Sequence, residues 1–410
     1  MPGLVVVGLQ FGDEGKGKVV DYYAENADMV VRYAGGPNAG HTLIANGRKT
    51  VLRLIPSGVL HEKVSCVLGN GMVIDPFVLQ GEFRALDDAG VDWKNRIVLS
   101  SQAHVIMPYH IQVDAYRESK ASVKIGTTKK GIGPCYEDKV SRRGIRVVDL
   151  VDVKEPELIK NRQRWMRAED IEESEKEMWQ AEDELCNYLK KAREILIPYI
   201  IDTPVLVNLA LNAGKNVLFE GAQGTELDID HGTYPFVTSS SAISGGACTG
   251  SGVGPTKINK VIGITKAYTT RVGEGPFPTE LNNEIGEHLR RVGNEYGSVT
   301  GRPRRVGWLN LQDLKYACMV NGTTGLAITK LDILSGLSSI SVCTSYEDTV
   351  NLKTFEGWTE DLSSAKKFSD LPKNAQKYIE YIESCVEVPV CLISVGADRD
   401  NTILTRDAFI

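Results

Sequence analysis

The chain has 410 residues, of which 42% are hydrophobic and 24% charged, with a formal net charge of −6. This is ordinary globular composition, long enough to bury a sizeable core. The acidic balance leaves no global basic field to favour nucleic acid or an anionic membrane, so any anionic ligand has to be held by local basic and backbone groups.

The N-terminus, Met1-Pro2-Gly3-Leu4, runs straight into an apolar segment and lacks the basic region of a signal peptide. No stretch approaches the roughly 18 apolar residues of a membrane span. Eight cysteines are scattered without a Cys-x-x-Cys pair, which favours free thiols in a reducing cytoplasm over disulfides or zinc.

Leu4-Val5-Val6-Val7-Gly8 predicts a fully buried strand. A Gly-rich turn follows, then a helix from about Lys16 to Asn26. Met29 to Tyr33 is the next strand, and it ends in the loop from Ala34 to Thr42. Further short apolar strands are predicted at Cys66–Leu68, Ile97–Leu99, Val217–Phe219, Val261–Ile264, Leu326–Ile328 and Val390–Ile393. Strands alternating with helical stretches predict an α/β fold with a large, mostly parallel central sheet flanked by helices. The whole chain, 1–410, reads as one such domain. A charge-rich segment at about 154–201, carrying Trp165, Trp179, Leu185, Leu189 and Ile195, reads as a helical insertion against the flank of the sheet. Its charges read as a solvated face. In open α/β sheets ligands bind beyond the carboxyl ends of the strands, so those turns are the ones to read for chemistry.

The first turn is Gly12-Asp13-Glu14-Gly15-Lys16-Gly17-Lys18. Between a strand and a helix, its backbone N–H groups and the helix N-terminus suit phosphate oxygens. The match to a standard phosphate loop is incomplete. Gln10 stands where the first glycine belongs, and Gly17 replaces the hydroxyl residue that ligates Mg²⁺. Asp13 stands inside the loop instead. A carboxylate beside phosphates is repulsive unless it binds a cation or takes a proton.

The second loop holds Asn38, Ala39, Gly40, His41 and Thr42. Near a phosphoryl group His41 is placed to donate a hydrogen bond to a developing oxyanion. Thr329-Lys330-Leu331-Asp332 follows a predicted strand and is similar to the Asn-Lys-x-Asp guanine motif of GTPases, with Thr for Asn. The similarity predicts that Asp332 accepts from guanine N1–H and the exocyclic amine, and that the Lys330 stem lies over the base. Ser394-Val395-Gly396, after another strand, is expected to close the base pocket with backbone groups. The remaining loops are polar and rich in Gly and Arg: Gly126–Gly133, Asp138–Arg143, Glu220–Gly224, Thr238–Ser241 and Ser298–Arg305. Arginine fits carboxylates and phosphates bidentately. Their number points to more anionic groups than one nucleotide supplies.

These motifs, with Gly131-Ile132-Gly133-Pro134, Phe219-Glu220-Gly221-Ala222-Gln223-Gly224 and Thr300-Gly301-Arg302, stand in the order and spacing of the adenylosuccinate synthetase family, which the chain resembles from about Leu4 to its C-terminus. The resemblance implies IMP, L-aspartate and GTP as substrates, Mg²⁺ as cofactor (one per subunit), and a homodimer built on a sheet related to the phosphate-loop NTPases. The reaction it implies joins IMP and aspartate through a 6-phosphoryl-IMP intermediate, the first committed step of AMP synthesis from IMP.

By position, Asp13 resembles the base that removes the N1 proton of IMP and a Mg²⁺ ligand, with the Gly40 carbonyl as a second ligand. His41 resembles the residue that stabilises the transferring phosphoryl group and acts as acid; Lys16 and Gln223 join the catalytic set. The GTP site is implied at Gly12, Asp13, Glu14, Gly15, Lys16, Gly17 and Lys18, at Gly40, His41 and Thr42, at Arg304, at Lys330, Leu331 and Asp332, and at Ser394, Val395 and Gly396. IMP contacts are implied at Asp13, Glu14, Gly15, Lys16, Asn38, Ala39, Gly40, His41, Thr128, Gln223, Thr238 and Arg302, with Arg142 supplied by the neighbouring subunit. Ser298, Val299, Thr300, Gly301, Arg302, Pro303 and Arg304 resemble the aspartate loop. Lys129-Lys130 replaces the Gly-Arg of many bacterial members, and Pro303 interrupts an arginine run found in some.

The rival from another class is a regulatory GTP-binding switch. It requires a hydroxyl residue after the loop lysine and an Asp-x-x-Gly switch. The Asp87-Asp88-Ala89-Gly90 stretch reads instead as a helix end capped by Gly90.

Overall fold

A computed structural model describes residues 3–38, 40–45, 48–152, 154–169, 182–296 and 303–406, with the side chains of 41–45, 48–50, 155, 156 and 182 left aside. The run Leu4-Val5-Val6-Val7 forms strand β1 (Gly3–Gly8), buried along its length. Its side chains alternate between two cores. Val5 and Val7 enter one core, while Leu4 and Val6 pack with Val19, Val20, Tyr23 and Ala24 of the helix Lys16–Ala24 in the other. A strand covered on both faces needs apolar residues at every position, which is why its sequence shows no polar alternation.

Among the described residues, nine more strands complete the main sheet: β2 (Met29–Arg32), β3 (Ser65–Leu68), β4 (Ile97–Ser100), β5 (Ile200–Ile201), β6 (Val217–Glu220), β7 (Lys260–Lys266), β8 (Gly325–Thr329), β9 (Val390–Ser394) and β10 (Thr402–Leu404). Their order is β10-β9-β8-β7-β1-β6-β2-β3-β4-β5. Every pairing is parallel except β9 with β10. The eight strands predicted from sequence form the contiguous middle of this sheet. The two short edge strands are additional.

The parallel arrangement gathers the turns after β1, β2, β6, β8 and β9 at one end of the sheet. Those are the turns that carry the predicted motifs. The predicted insertion contains the helices Glu155–Ala168 and Glu182–Leu196. Trp165, Leu185, Leu189 and Ile195 bury into a separate core with Phe83, Trp93 and Leu99. Its end corrects the expectation: Ile200–Ile201 is not helical but joins β4 as the sheet edge. Trp179 lies outside the described residues. Asp87 and Asp88 end the helix Pro76–Asp88, and Gly90 follows at φ +70°, as the sequence predicts.

Candidate active site

The turn after β1 is built by a buried carboxylate. Glu14 is fully buried, and its Oε1 accepts from the backbone N–H of Gln10 at 3.1 Å and of Gly12 at 2.9 Å. Its Oε2 pairs with the Lys16 ammonium. The carboxylate therefore occupies the inside of the loop, and any ligand contact by Glu14 is left to its backbone. The closeness dictates two glycines. A Cβ on Gly8 would come within 2.4 Å of the Glu14 carboxylate, and one on Gly224 within 2.2 Å of the Gln10 carbonyl. Gly12, Asp13 and Gly15 take left-handed backbone at φ +84°, +58° and +85°, costly for Asp13 because it carries a Cβ.

That conformation presents the Asp13 side chain half-exposed, where its Oδ2 lies 2.9 Å from the Arg304 guanidinium. Arg304 is anchored in turn. Its Nη1 reaches Glu295 Oε2 at 2.7 Å, and its backbone N–H donates to the Glu295 carbonyl at 2.9 Å. Glu295 is buried and also receives Lys266 Nζ at 2.9 Å and the Tyr268 hydroxyl at 2.6 Å. Burial disfavours the Glu295 charge, but Lys266 and these hydrogen bonds outweigh it and hold the carboxyl below its ordinary range. Sequence reading missed this support. Lys266, Tyr268 and Glu295 belong to no phosphate or base motif, and no spacing announces that they meet.

The turns after β2 and β6 close over the first loop. Gln223 is buried with a left-handed φ of +60°, and neither its Oε1 nor its Nε2 has a partner among the described residues. Leaving a buried amide unpaired costs about 1–3 kcal/mol per group, so this one fits a hydrogen-bonding ligand. It sits between the loops: a Cβ on Gly35 would come 3.1 Å from Gln223 Oε1, and one on Gly12 3.8 Å from Gln223 Cα. Asn38 Oδ1 accepts from Gly36 N–H at 3.2 Å, shaping the β2 turn.

Gly40 leads into the hairpin His41–Ala45/Arg48–Leu52, in which His41 pairs with Leu52. The side chains of His41 and Thr42 lie outside the described part, as does Ala39. Past the hairpin, Glu82 clamps the chain by accepting from the N–H groups of Arg53 (2.8 Å), Leu54 (3.0 Å) and Ile55 (3.0 Å). Beside it, Glu220 at the end of β6 accepts from Ser57 N–H at 2.8 Å and Oγ at 2.9 Å.

The helix Ile132–Val140 packs against the turn after β2 and the Thr238–Ser241 segment. Tyr136 Oη accepts from Gly35 N–H at 3.0 Å, and a Cβ on Gly133 would come 3.3 Å from Ser239 Oγ. Thr238 Oγ1 meets Ser240 Oγ at 3.1 Å. Thr128 and Arg142 are exposed, Arg142 at φ +62° just past the helix end. Ser298, Val299, Thr300, Gly301 and Arg302 lie outside the described residues, while Pro303 joins Tyr296 in a β-bridge.

On the other side of β1, Gly15 packs against Thr329, whose hydroxyl donates to the Glu14 carbonyl at 2.6 Å. Thr329 thus ties the base motif to the phosphate loop. Lys330, at φ +61°, donates to the Gly293 carbonyl at 2.9 Å. Leu331 is buried. Asp332 Oδ1 is buried without a partner, and burial pushes the carboxyl above its ordinary range despite Lys330 and Lys18 nearby. Such an oxygen needs a donor that none of the described residues supplies. Val395 and Ser394 are buried beside Gly396 in the turn after β9. Lys18 departs from the simple reading: its ammonium lies on this turn, 2.7 Å from Ser394 Oγ.

The residues suit Mg²⁺ through one hard oxygen donor, the half-exposed Asp13 carboxylate at the mouth of the loop. No group of three or more His, Cys, Asp or Glu fit for a metal occurs among the described residues. An ion here would complete its shell with phosphate oxygens and water, as Mg²⁺ does.

Comparison with known proteins agrees over the full length. The model of the adenylosuccinate synthetase family matches residues 5–403. An adenylosuccinate synthetase of Sorangium cellulosum is 51% identical, covering 100% of both chains. The solved structure of fully ligated adenylosuccinate synthetase from Plasmodium falciparum is 40% identical and covers 99% of this chain and 100% of that one, with a TM-score of 0.89. The succinoaminodeoxyadenylate synthetase of cyanophage S-2L shares the fold at a TM-score of 0.65 and 19% identity, covering 98% of this chain and 95% of that one.

Proposed function

The chain belongs to the adenylosuccinate synthetase family, and from that membership we propose how its own residues divide the work. The enzyme is a ligase of purine biosynthesis. It joins IMP and L-aspartate in a GTP-dependent reaction on the path to AMP. A regulatory switch role is thereby set aside.

The purine 6-oxo group is a poor leaving group. Asp13 removes the proton from N1 of IMP, which turns O6 into an oxyanion. That oxygen attacks the γ-phosphorus of GTP, and GDP leaves. The aspartate amine then adds at C6 of the 6-phosphoryl-IMP, and inorganic phosphate departs with the C–O bond electrons. Positioning and charge stabilisation carry most of such a transfer. Lys16 and the backbone of Gly12–Lys18 hold the phosphates, and His41 stabilises the transferring group and acts as acid. Mg²⁺, held by Asp13 and the Gly40 carbonyl, would supply further charge neutralisation at the phosphates.

Gln223, Asn38, Thr128, Thr238 and Arg302 bind IMP, and Arg142 of the partner subunit completes that site. Ser298–Arg304 binds aspartate. Asp332, Lys330 and Ser394–Gly396 bind guanine. The chain acts as a single domain within a homodimer. Val123, Ile125 and Val140, close in sequence to Thr128 and Arg142, are exposed apolar side chains of the kind a surface meeting a second copy would carry. A cytoplasmic location agrees with eight free cysteines.

The observation that carries the reading is Gln223, a buried amide with both ends unpaired, seated on the loop that bears Asp13. Its amide N–H groups suit O6 of IMP, which leaves the N1 proton to the neighbouring Asp13. The test is adenylosuccinate formation followed by absorbance with IMP, aspartate, Mg²⁺ and either GTP or ATP. Product should require all components and GTP specifically, and should fall at least tenfold in a folded Gln223→Leu variant. Full activity in that variant removes Gln223 from the site.

A further inference from the structure

The Gly12–Lys18 turn carries two lysines, and a single cradle accounts for one of them. Lys16 opens the helix Lys16–Ala24 and Lys18 is two residues on. At about 100° per residue, positions i and i+2 of a helix point to opposite sides. The structure separates them accordingly. Lys16 pairs with Glu14 inside the loop, whereas Lys18 turns away towards β9.

The Lys18 ammonium meets three acceptors: Ser394 Oγ at 2.7 Å, the Gly396 carbonyl at 2.8 Å and the Asn401 carbonyl at 3.0 Å. An ammonium has three N–H donors, so these contacts use all of them. The acceptors span the turn that leads from β9 to β10. Ser394 Oγ also donates to the Gly396 carbonyl at 3.0 Å, and Val395 N–H to the Asn401 carbonyl at 2.9 Å. A Cβ on Gly396 would stand 2.8 Å from the Asn401 side chain, so the turn is folded tightly on itself with Lys18 at its hub. Burial lowers the Lys18 amine to about 8, opposed by the carboxylates of Asp332 and Asp398. The amine thus stays protonated at neutral pH and shares an electrostatic neighbourhood with Asp332.

We propose that Lys18 is a positioning residue of the guanine pocket: its ammonium holds the Ser394–Asn401 turn against the first turn of the helix, and so sets base selectivity without contacting phosphate. The proposal rests on the reading of Asp332 and Ser394–Gly396 as the base site, and extends it to a residue whose motif suggests a phosphate ligand. By fixing the turn to the helix that starts at the phosphate loop, Lys18 sets the distance between base and phosphate sites.

The test compares Lys18→Met, which keeps the stem and removes the charge, and Lys18→Arg with the unaltered enzyme. Each is assayed for kcat/KM with GTP and with ATP, and for inhibition by inorganic tripolyphosphate, a probe without a base. Lys18→Met should lower kcat/KM for GTP about tenfold or more, as expected for loss of charge-assisted hydrogen bonds, and should narrow the GTP-over-ATP ratio. Inhibition by tripolyphosphate should change less than about twofold, because no phosphate contact is lost. Lys18→Arg keeps the charge but not the three-point fit, and should fall between. It carries the test if the methionine variant does not fold. Equal weakening of GTP and tripolyphosphate at an unchanged ratio overturns the proposal and makes Lys18 a phosphate ligand. No effect on either also overturns it. Asp332→Asn is run beside them. If its base preference shifts and that of the Lys18 variants does not, only the assignment of Lys18 fails; if none shifts, the base-site reading fails with it.

Discussion

The Arg304 guanidinium lies 2.9 Å from Asp13 Oδ2, while its other end rests 2.7 Å from Glu295 Oε2. The residue proposed as base is therefore gripped by a cation that is itself fixed by a buried anion. Arg304 is the described end of the segment proposed to bind aspartate, so this pair connects that segment to the loop that activates IMP. A carboxylate offers about four lone-pair sites, and one guanidinium contact leaves others for a proton or a metal ion.

Asp332→Asn tests the base site. The buried Oδ1 of Asp332 has no partner among the described residues, and guanine would supply N1–H and the exocyclic amine. An asparagine cannot accept from both. The variant should raise KM for GTP by roughly 10- to 100-fold, the worth of one or two charge-assisted hydrogen bonds. It should gain activity with xanthosine triphosphate, whose edge is complementary to an amide. Steady-state kinetics with both nucleotides decides, and an unchanged preference for GTP shows that Asp332 does not read the base.

Mixing subunits tests Arg142. Asp13→Ala and Arg142→Leu should each be inactive alone. If Arg142 acts across the dimer, random reassociation makes about half the dimers mixed, each with one intact site, so about a quarter of full activity returns. No recovery in confirmed mixed dimers places the action of Arg142 within its own subunit.

Glu82 gives a signature in stability. Burial pushes its carboxyl from 4.5 up to about 7, against the three N–H groups of residues 53–55 and the Arg32 cation. A raised carboxyl pKa means that the fold favours the protonated form. The associated stability is fully present below about pH 4.5 and is lost as pH rises through about 7. Glu82→Gln lacks this titration. Relative to the variant, the unaltered protein should lose roughly 3 kcal/mol between pH 4.5 and 7. Denaturant melts across that range measure the difference, and a pH-independent gap contradicts the account.

The middle of the fold was readable because strands buried on both faces are apolar at every position. Leu4–Val7, Val217–Phe219 and Leu326–Ile328 need nothing else to be recognised. Ile200–Ile201 and Thr402–Leu404 escaped because two or three residues at a sheet edge carry no periodicity. The motifs located the turns correctly, and the parallel sheet explains why turns so far apart in sequence converge. The roles inside those turns were less legible. Glu14 looks like a ligand residue until its carboxylate is found folded back on Gln10 and Gly12. Thr329 reads from sequence only as a departure from the guanine motif, and its hydroxyl is found on the Glu14 carbonyl. The partners of Lys18 lie 376 to 383 residues away, a distance over which local pattern carries no information.

The central claim is that one loop both holds the phosphates of GTP and activates the IMP that attacks them, with Asp13 as base. The most direct measurement is turnover and nucleotide binding by Asp13→Asn, which preserves the shape of the side chain and removes its basicity. GTP and IMP should still bind by calorimetry, while adenylosuccinate formation falls by roughly 10²–10⁴-fold, the usual worth of a general base. Turnover within a few-fold of the unaltered enzyme, with binding intact, would contradict the account.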